Sequence, residues 1–196
     1  ASAWELVREG VESTASPLAE LDLVGLKHMD KRDGVTARLV SLVGAVKRPE
    51  LLSLIDMSGQ GGVEMRMGDL VVAVSGVVAV EGGALRTLRL GGNGVWAGGT
   101  MLSLVEAVSS GSCVVEELDV GGCGLKGDEV VDVYATAMKA GVQKLTLGGW
   151  CVPLGKEASS TELVVPSGMT LDEADGAVVR ELLKSRGTYM KLGLGG

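Results

Sequence analysis

The sequence predicts an α/β solenoid of stacked strand–helix units. Three observations carry this: a recurring apolar frame, helical spacing between its copies, and a glycine excess at the ends of the frames. Six segments share an apolar-x-x-apolar-x-apolar frame: Leu18 to Leu23, Leu52 to Met57, Leu85 to Leu90, Val115 to Val120, Val142 to Leu147 and Tyr189 to Leu194. Their starts lie 34, 33, 30, 27 and 47 residues apart. Each frame alternates apolar and polar residues as a short strand does, and a recurrence near thirty residues marks supersecondary units that bury their apolar faces against one another.

Each element follows from local pattern. Between the frames, Met101, Leu104, Val105 and Val108 fall at i, i+3, i+4, i+7, as do Val130, Val133, Tyr134 and Ala137, so each strand leads into a helix with one apolar face. Trp4, Val7 and Val11 predict an opening helix, and the charge-free run from Leu70 to Val80 a buried one, too short for the roughly 20 residues of a spanning helix. For the last helix, Thr170-Leu-Asp-Glu173 reads as a capping box, and Lys184, Arg186 and Gly187 as the cationic last turn and the stop.

The third and fourth frames, LRTLRLGGN ending at Asn93 and VEELDVGGC ending at Cys123, fit L-x-x-L-x-L-x-x-N/C and continue to Val95 and Leu125. The chain thereby resembles the leucine-rich repeat family. Its repeat length with a true helix is similar to the ribonuclease-inhibitor-like branch. The resemblance implies a horseshoe with parallel strands on the concave face and helices on the convex face. It makes residues 1–196 one domain of about six units, with a long insertion near 151–169. Leu26, Gln60 and Trp150 stand at the Asn/Cys position of repeats one, two and five, so the ladder there departs from the pattern.

The composition agrees. There are 31 Gly and no Phe in 196 residues, with 46% hydrophobic and 22% charged. Glycine is more than twice its usual share of about 7%, without the three-residue period of collagen, and the apolar mass excludes a disordered linker. Gly91-Gly92, Gly121-Gly122, Gly148-Gly149 and Gly195-Gly196 each follow a frame, where a sharp turn needs positive φ or close backbone approach.

Function is read from charge and motif. The net charge of −7 opposes sequence-independent attraction to phosphate, and the basic runs are only the pairs Lys31-Arg32 and Lys47-Arg48, so no direct nucleic-acid binding is expected. The opening residues show no signal-peptide core, and no membrane association is expected. Cys113, Cys123 and Cys151 are odd in number and lack C-x-x-C spacing, which predicts an intracellular compartment, the cytoplasm first, with an organelle after transit-peptide removal also consistent. His28 is the only histidine and sits among charges, so nucleophile–histidine catalysis and metal binding are not expected, and Cys123 reads as a buried structural thiol.

Gly122-Cys-Gly124-Leu-Lys-Gly127 is a G-x-G-x-x-G between strand and helix, the setting of a dinucleotide fingerprint, which makes nucleotide binding at the Gly122–Gly127 turn a further alternative; against it, VQKLTLGG offers no acidic residue for a ribose, and a repeat turn explains the same glycines. The concave strand positions carry Glu20, Asp22, Asp56, Arg89, Glu116, Glu117, Asp119, Lys144, Thr146 and Lys191. In register, Asp56, Arg89 and Asp119 form an alternating ladder and Glu117 faces Lys144. Such a row either neutralises itself across strands or forms the recognition stripe for a protein partner. Glu20, Asp22, Asp56, Arg89, Glu117, Asp119 and Lys144 are therefore the candidate partner-binding residues of a non-enzymatic interaction module that needs no cofactor. The alternative is a structural subunit of a large protein or ribonucleoprotein assembly, docked by its convex helices and by the open end after Leu194, where no capping helix follows.

Overall fold

The computed structural model describes residues 3–13, 18–24, 35–46, 48–59, 67–94, 98–112, 114–154, 162–165, 171–186 and 191–194. Five short strands, β1 (Glu20–Asp22), β2 (Leu54–Asp56), β3 (Thr87–Arg89), β4 (Glu117–Asp119) and β5 (Lys144–Thr146), pair in parallel in chain order. Their starts are 34, 33, 30 and 27 residues apart, the spacing of the first five sequence frames. Among the described residues the helices are α1 (Ala3–Glu12), α2 (Val35–Ala45), α3 (Met67–Val78), α4 (Gly98–Ser110), α5 (Asp128–Lys139) and α6 (Glu173–Arg186), each packed on the next. The architecture is an open, mostly parallel sheet with one helical layer. Strands and helices share a single aliphatic core.

The frame explains the core. Its second apolar residues, Leu21, Ile55, Leu88, Leu118 and Leu145, are partners across the ladder, and all are buried. The first and third positions add Leu52, Leu85, Val115 and Val142, then Met57, Leu90, Val120 and Leu147. The two helical stripes read from the sequence, on α4 and α5, are buried at all eight positions. Apart from the rings of Tyr134 and Trp150, aliphatic side chains fill these thin layers.

Pairing extends past the strands. Met57 N–H donates to Arg89 O at 2.9 Å, Leu90 N–H to Asp119 O at 2.7 Å, and Gly92 N–H to Gly121 O at 2.7 Å, so the ladder continues into the turns. There Gly92 and Gly122 adopt φ of 71° and 68°, a left-handed turn that side chains disfavour. The Asn93 amide is buried beneath that turn and donates to Leu90 O at 2.7 Å and Met57 O at 3.0 Å, joining two repeats. Cys123 takes the same place one repeat on, its sulfur 3.8 Å from Leu90 O. Burial pushes its thiol pKa up to about 12, so it is a structural group.

The structure corrects three expectations. The sixth frame forms β8 (Lys191–Leu194), yet this strand does not continue the ladder; it pairs in parallel with β7 (Glu162–Val165) in a separate two-stranded sheet. The far edge of β5 is taken instead by β6 (Cys151–Pro153), antiparallel, with Thr146 opposite Cys151. A strand four residues away closes a hairpin at far lower loop entropy than one 47 residues on, and the long interval supplies β-prone residues for it. Accordingly, Leu194 does not form the open end of the main sheet.

The opening helix predicted from Trp4, Val7 and Val11 is α1, on which Val7 is 48% exposed and Leu6 59%. The second correction concerns α3, which buries Leu70, Val71, Val74, Val77 and Val78 but leaves Val72 73% exposed, which makes it half-covered. The third is the cap of α6. Thr170 lies outside the described residues, and the reciprocal pair is Asp172 with Asp175: Asp175 N–H donates to Asp172 Oδ1 at 2.8 Å, and Asp172 N–H to Asp175 Oδ2 at 3.2 Å. This is capping-box geometry moved two residues along. His28, Trp4's side chain, Val95, Cys113, Gly187 and Gly195-Gly196 also lie outside the described residues.

Candidate functional site

The candidate residues meet on the face of the sheet turned away from the core. Because side chains alternate along a strand, the residues flanking each buried leucine or isoleucine project to this side. Two rows cross the strands in register. One runs Asp22, Asp56, Arg89, Asp119, Thr146, and the other Glu20, Leu54, Thr87, Glu117, Lys144. All seven candidate positions therefore fall in two adjacent lines. Lys191, on β8, stands in the other sheet.

Arg89 organises the centre. Its Nη2 lies 2.6 Å and its Nε 2.7 Å from Glu117 Oε1, and its Nη1 3.5 Å from Asp56 Oδ2. The hydrogen bond to Glu117 holds the guanidinium pKa above its usual value. Glu117 faces Lys144 in register, but among the described residues its ion pair is with Arg89. A rigid fork of donors reaches diagonally and binds one carboxylate through two nitrogens, which the flexible, exposed ammonium of Lys144 does not match. Beside this pair, Arg86 lies 3.7 Å from Glu116.

Three aspartates of the first row also shape the chain. Asp22 Oδ1 accepts Val24 N–H at 3.0 Å, Asp56 Oδ1 accepts Ser58 N–H at 3.0 Å, and Asp119 Oδ1 accepts Gly121 N–H at 2.8 Å. Each is an Asx turn that starts the bend after a strand. The signal was in the sequence as Asp-x-x-Gly, repeated at Asp22, Asp56 and Asp119. Partial burial raises the Asp119 pKa above its ordinary value, and the charges of Asp56 and Glu117 act in the same direction, against the Gly121 amide and Arg89.

Asp175 is a residue that sequence reasoning missed. Its carboxylate is 1% exposed and accepts Gly149 N–H at 3.1 Å and Trp150 N–H at 3.2 Å besides the Asp172 amide. It ties the first turn of α6 to the β5–β6 hairpin. The Asp-x-x-Asp spacing at 172–175 was the available signal.

At the glycine fingerprint, Gly122, Gly124 and Gly127 have φ of 68°, 73° and 51°. A shallow cleft of about 180 Å³ adjoins them, lined by Gly122, Gly124, Lys126, Leu147, Asp172 and Glu173. Two carboxylates against one lysine disfavour a phosphate, and Asp172 is already engaged in capping α6. Gly122 is also placed by the turn stack, where a Cβ would meet Gly92.

Elsewhere, no group of three or more His, Cys, Asp or Glu among the described residues is placed to hold a metal ion, and no described helix is long and apolar enough to cross a membrane. Compared with known proteins, the chain matches no family model and no curated protein.

Proposed function

We propose that the chain is a leucine-rich-repeat-like solenoid, of the ribonuclease-inhibitor-like kind, that works as a non-enzymatic protein-interaction module. The fold reading is supported by the repeat spacing of β1 to β5, by neighbour-on-neighbour packing of strands and helices, and by Asn93 and Cys123 at equivalent turns. One observation carries the function: seven charged candidates stand in two registered rows on a solvent-facing sheet whose backbone is fixed by an unbroken ladder. A rigid sheet presenting polar groups binds without the ordering cost that a loop incurs.

The test is charge reversal of the central row. In Asp56→Lys, Arg89→Glu, Asp119→Lys, capture of a partner from the native source should be lost while the thermal transition is retained. Undiminished capture rejects the reading.

A second reading, a structural subunit docked through its helices, has its own observation. The exposed side of α2 to α4 carries mainly small and apolar residues, Ala37, Ser41, Gly44, Val72, Gly76 and Ser103, with Asp69 and Glu106 its exposed charges. Light scattering on the purified chain separates the readings, since helix-side assembly gives a concentration-dependent mass that Val72→Asp abolishes.

A further inference from the structure

β8 obeys the repeat frame yet lies outside the main sheet, and the outer edge of β1 is the place in the fold that such a strand completes. In β1, Leu23 N–H donates to Asp56 O at 2.7 Å, and Ala19 O accepts Ser53 N–H at 2.7 Å. Residues 19, 21 and 23 therefore bond toward β2, and the N–H and C=O groups of Glu20 and Asp22 point the other way, where no strand lies among the described residues. The opposite edge of the sheet is closed to addition. There Leu154 N–H donates to Gln143 O, which turns residue 153 outward, and Pro153 has no N–H to offer.

The frames pair position for position at every parallel step from β1 to β5. The same rule sets Lys191 against Glu20, Leu192 against Leu21 and Leu194 against Leu23. β8 already pairs in parallel with a strand of this pattern, since β7 places Glu162 opposite Lys191 and Leu163 opposite Leu192. Its other edge carries no strand among the described residues. β1 offers that edge the same Glu-Leu pair, with opposite charges facing and leucine beside leucine. The β1 of its own chain is out of reach. α6 packs on α5 and α1 on α2, which puts about five helix steps of about 9 Å between the two ends of the helical row. The link from Arg186 to Lys191 extends at most about 18 Å.

We propose that β8 of one copy pairs in parallel with the free edge of β1 in a second copy, joining chains head to tail. The order across the joint is then β7-β8-β1-β2, with Lys191 between Glu162 and Glu20. Donor strand and acceptor edge are different surfaces, so the contact is heterologous and repeats from copy to copy. α1, which ends the helical row on that side, leaves Leu6 and Val7 exposed beside the joint. The joint goes beyond both readings above, since it uses neither the central charge row nor the exposed side of α2 to α4.

Sedimentation velocity of the whole chain over a wide concentration range tests it. The average mass should rise with concentration, and the Glu20 and Asp22 amides should gain protection from deuterium exchange as it does. Glu20→Lys and Lys191→Glu, which set like charges against each other, should each weaken association at least about tenfold. An equal mixture of the two variants should restore it, because each edge then meets an oppositely charged strand. Glu20 is exposed, so its variant keeps the fold even where Lys191→Glu loosens β8 from β7. Val72→Asp should leave association unchanged. A single-chain mass at every concentration overturns the proposal, and so does association that ignores both charge changes. Association abolished by Val72→Asp overturns it as well, and supports docking through the helices instead.

Discussion

Asp175, on the first turn of α6, accepts the backbone N–H of Trp150 at 3.2 Å in the hairpin that ends the main sheet. Its other oxygen takes the Gly149 and Asp172 amides, so one buried carboxylate satisfies donors from two elements. Removing it strands those amides where water is scarce. Asp175→Ala should cost about 3 kcal/mol, measured by urea denaturation, and Gly149 and Trp150 should lose hydrogen-exchange protection before the amides of β2 to β4 do. A loss below about 0.5 kcal/mol would show that the hairpin holds itself.

Asp119 sets the sign of one pH effect. Its pKa is raised in the fold, chiefly by burial, so the charged form is the disfavoured one there. Its contribution is most favourable below the ordinary carboxylate value of 3.8, and is lost as pH rises through the folded value. Glu50 and Glu181 have the opposite sense: paired with Arg48 and with Lys184 and Arg180, they are lowered, and their small contributions fade on acidification. The difference between wild type and Asp119→Asn isolates the first effect. The variant, whose amide oxygen still accepts from Gly121, should gain thermal stability relative to wild type at pH 7 and lose that advantage by about pH 3.5. A constant difference across that range refutes the assignment.

Glycines that look alike in sequence should respond oppositely to alanine. A Cβ at Gly121 would strike the Gly148 carbonyl oxygen and come within 2.9 Å of Thr146 Cγ2, and a backbone carbonyl cannot rotate away. Gly76, inside α3, has nothing within 4 Å of its Cβ site. Gly121→Ala should therefore destabilise by about 3 kcal/mol, while Gly76→Ala should stabilise by about 0.5–1 kcal/mol through backbone entropy alone. Chemical denaturation of both variants checks the pair.

Much of this architecture was legible because its cause is local. A leucine between two polar residues in a short strand has one way to face the core, and Leu88, Leu118 and Leu145 took it in register. Likewise the helical stripe of Val130, Val133, Tyr134 and Ala137 follows from a period of 3.6. The candidate rows were legible as positions, since register follows from the frames, and so was the Arg89–Asp56 pair within the ladder, but the tighter pair was not: Arg89 reached diagonally to Glu117, a choice made by side-chain geometry. What failed depended on competition between distant segments. Lys191 to Leu194 obeys the frame as well as any repeat, yet β6, closer in sequence, took the edge of β5, and β7 supplied another partner. Nothing in a frame records which of two strands arrives first.

The two described thiols should separate by reactivity. Cys123 is fully buried beneath its turn, and desolvation lifts its pKa to about 12, so at pH 8 the thiolate is about one part in ten thousand, and reagent cannot reach it. Cys151, on the edge strand β6, is exposed. Iodoacetamide at pH 8, with peptides resolved by mass spectrometry, should modify Cys151 within minutes and leave Cys123 intact until denaturant is added. Because Cys123 is reached only when the turn opens, its labelling rate should track stability: raising urea toward the transition should accelerate Cys123 and leave the Cys151 rate nearly flat. Comparable rates in native buffer would mean that the turn joining the third and fourth repeats opens far more readily than the burial of Asn93 and Cys123 allows.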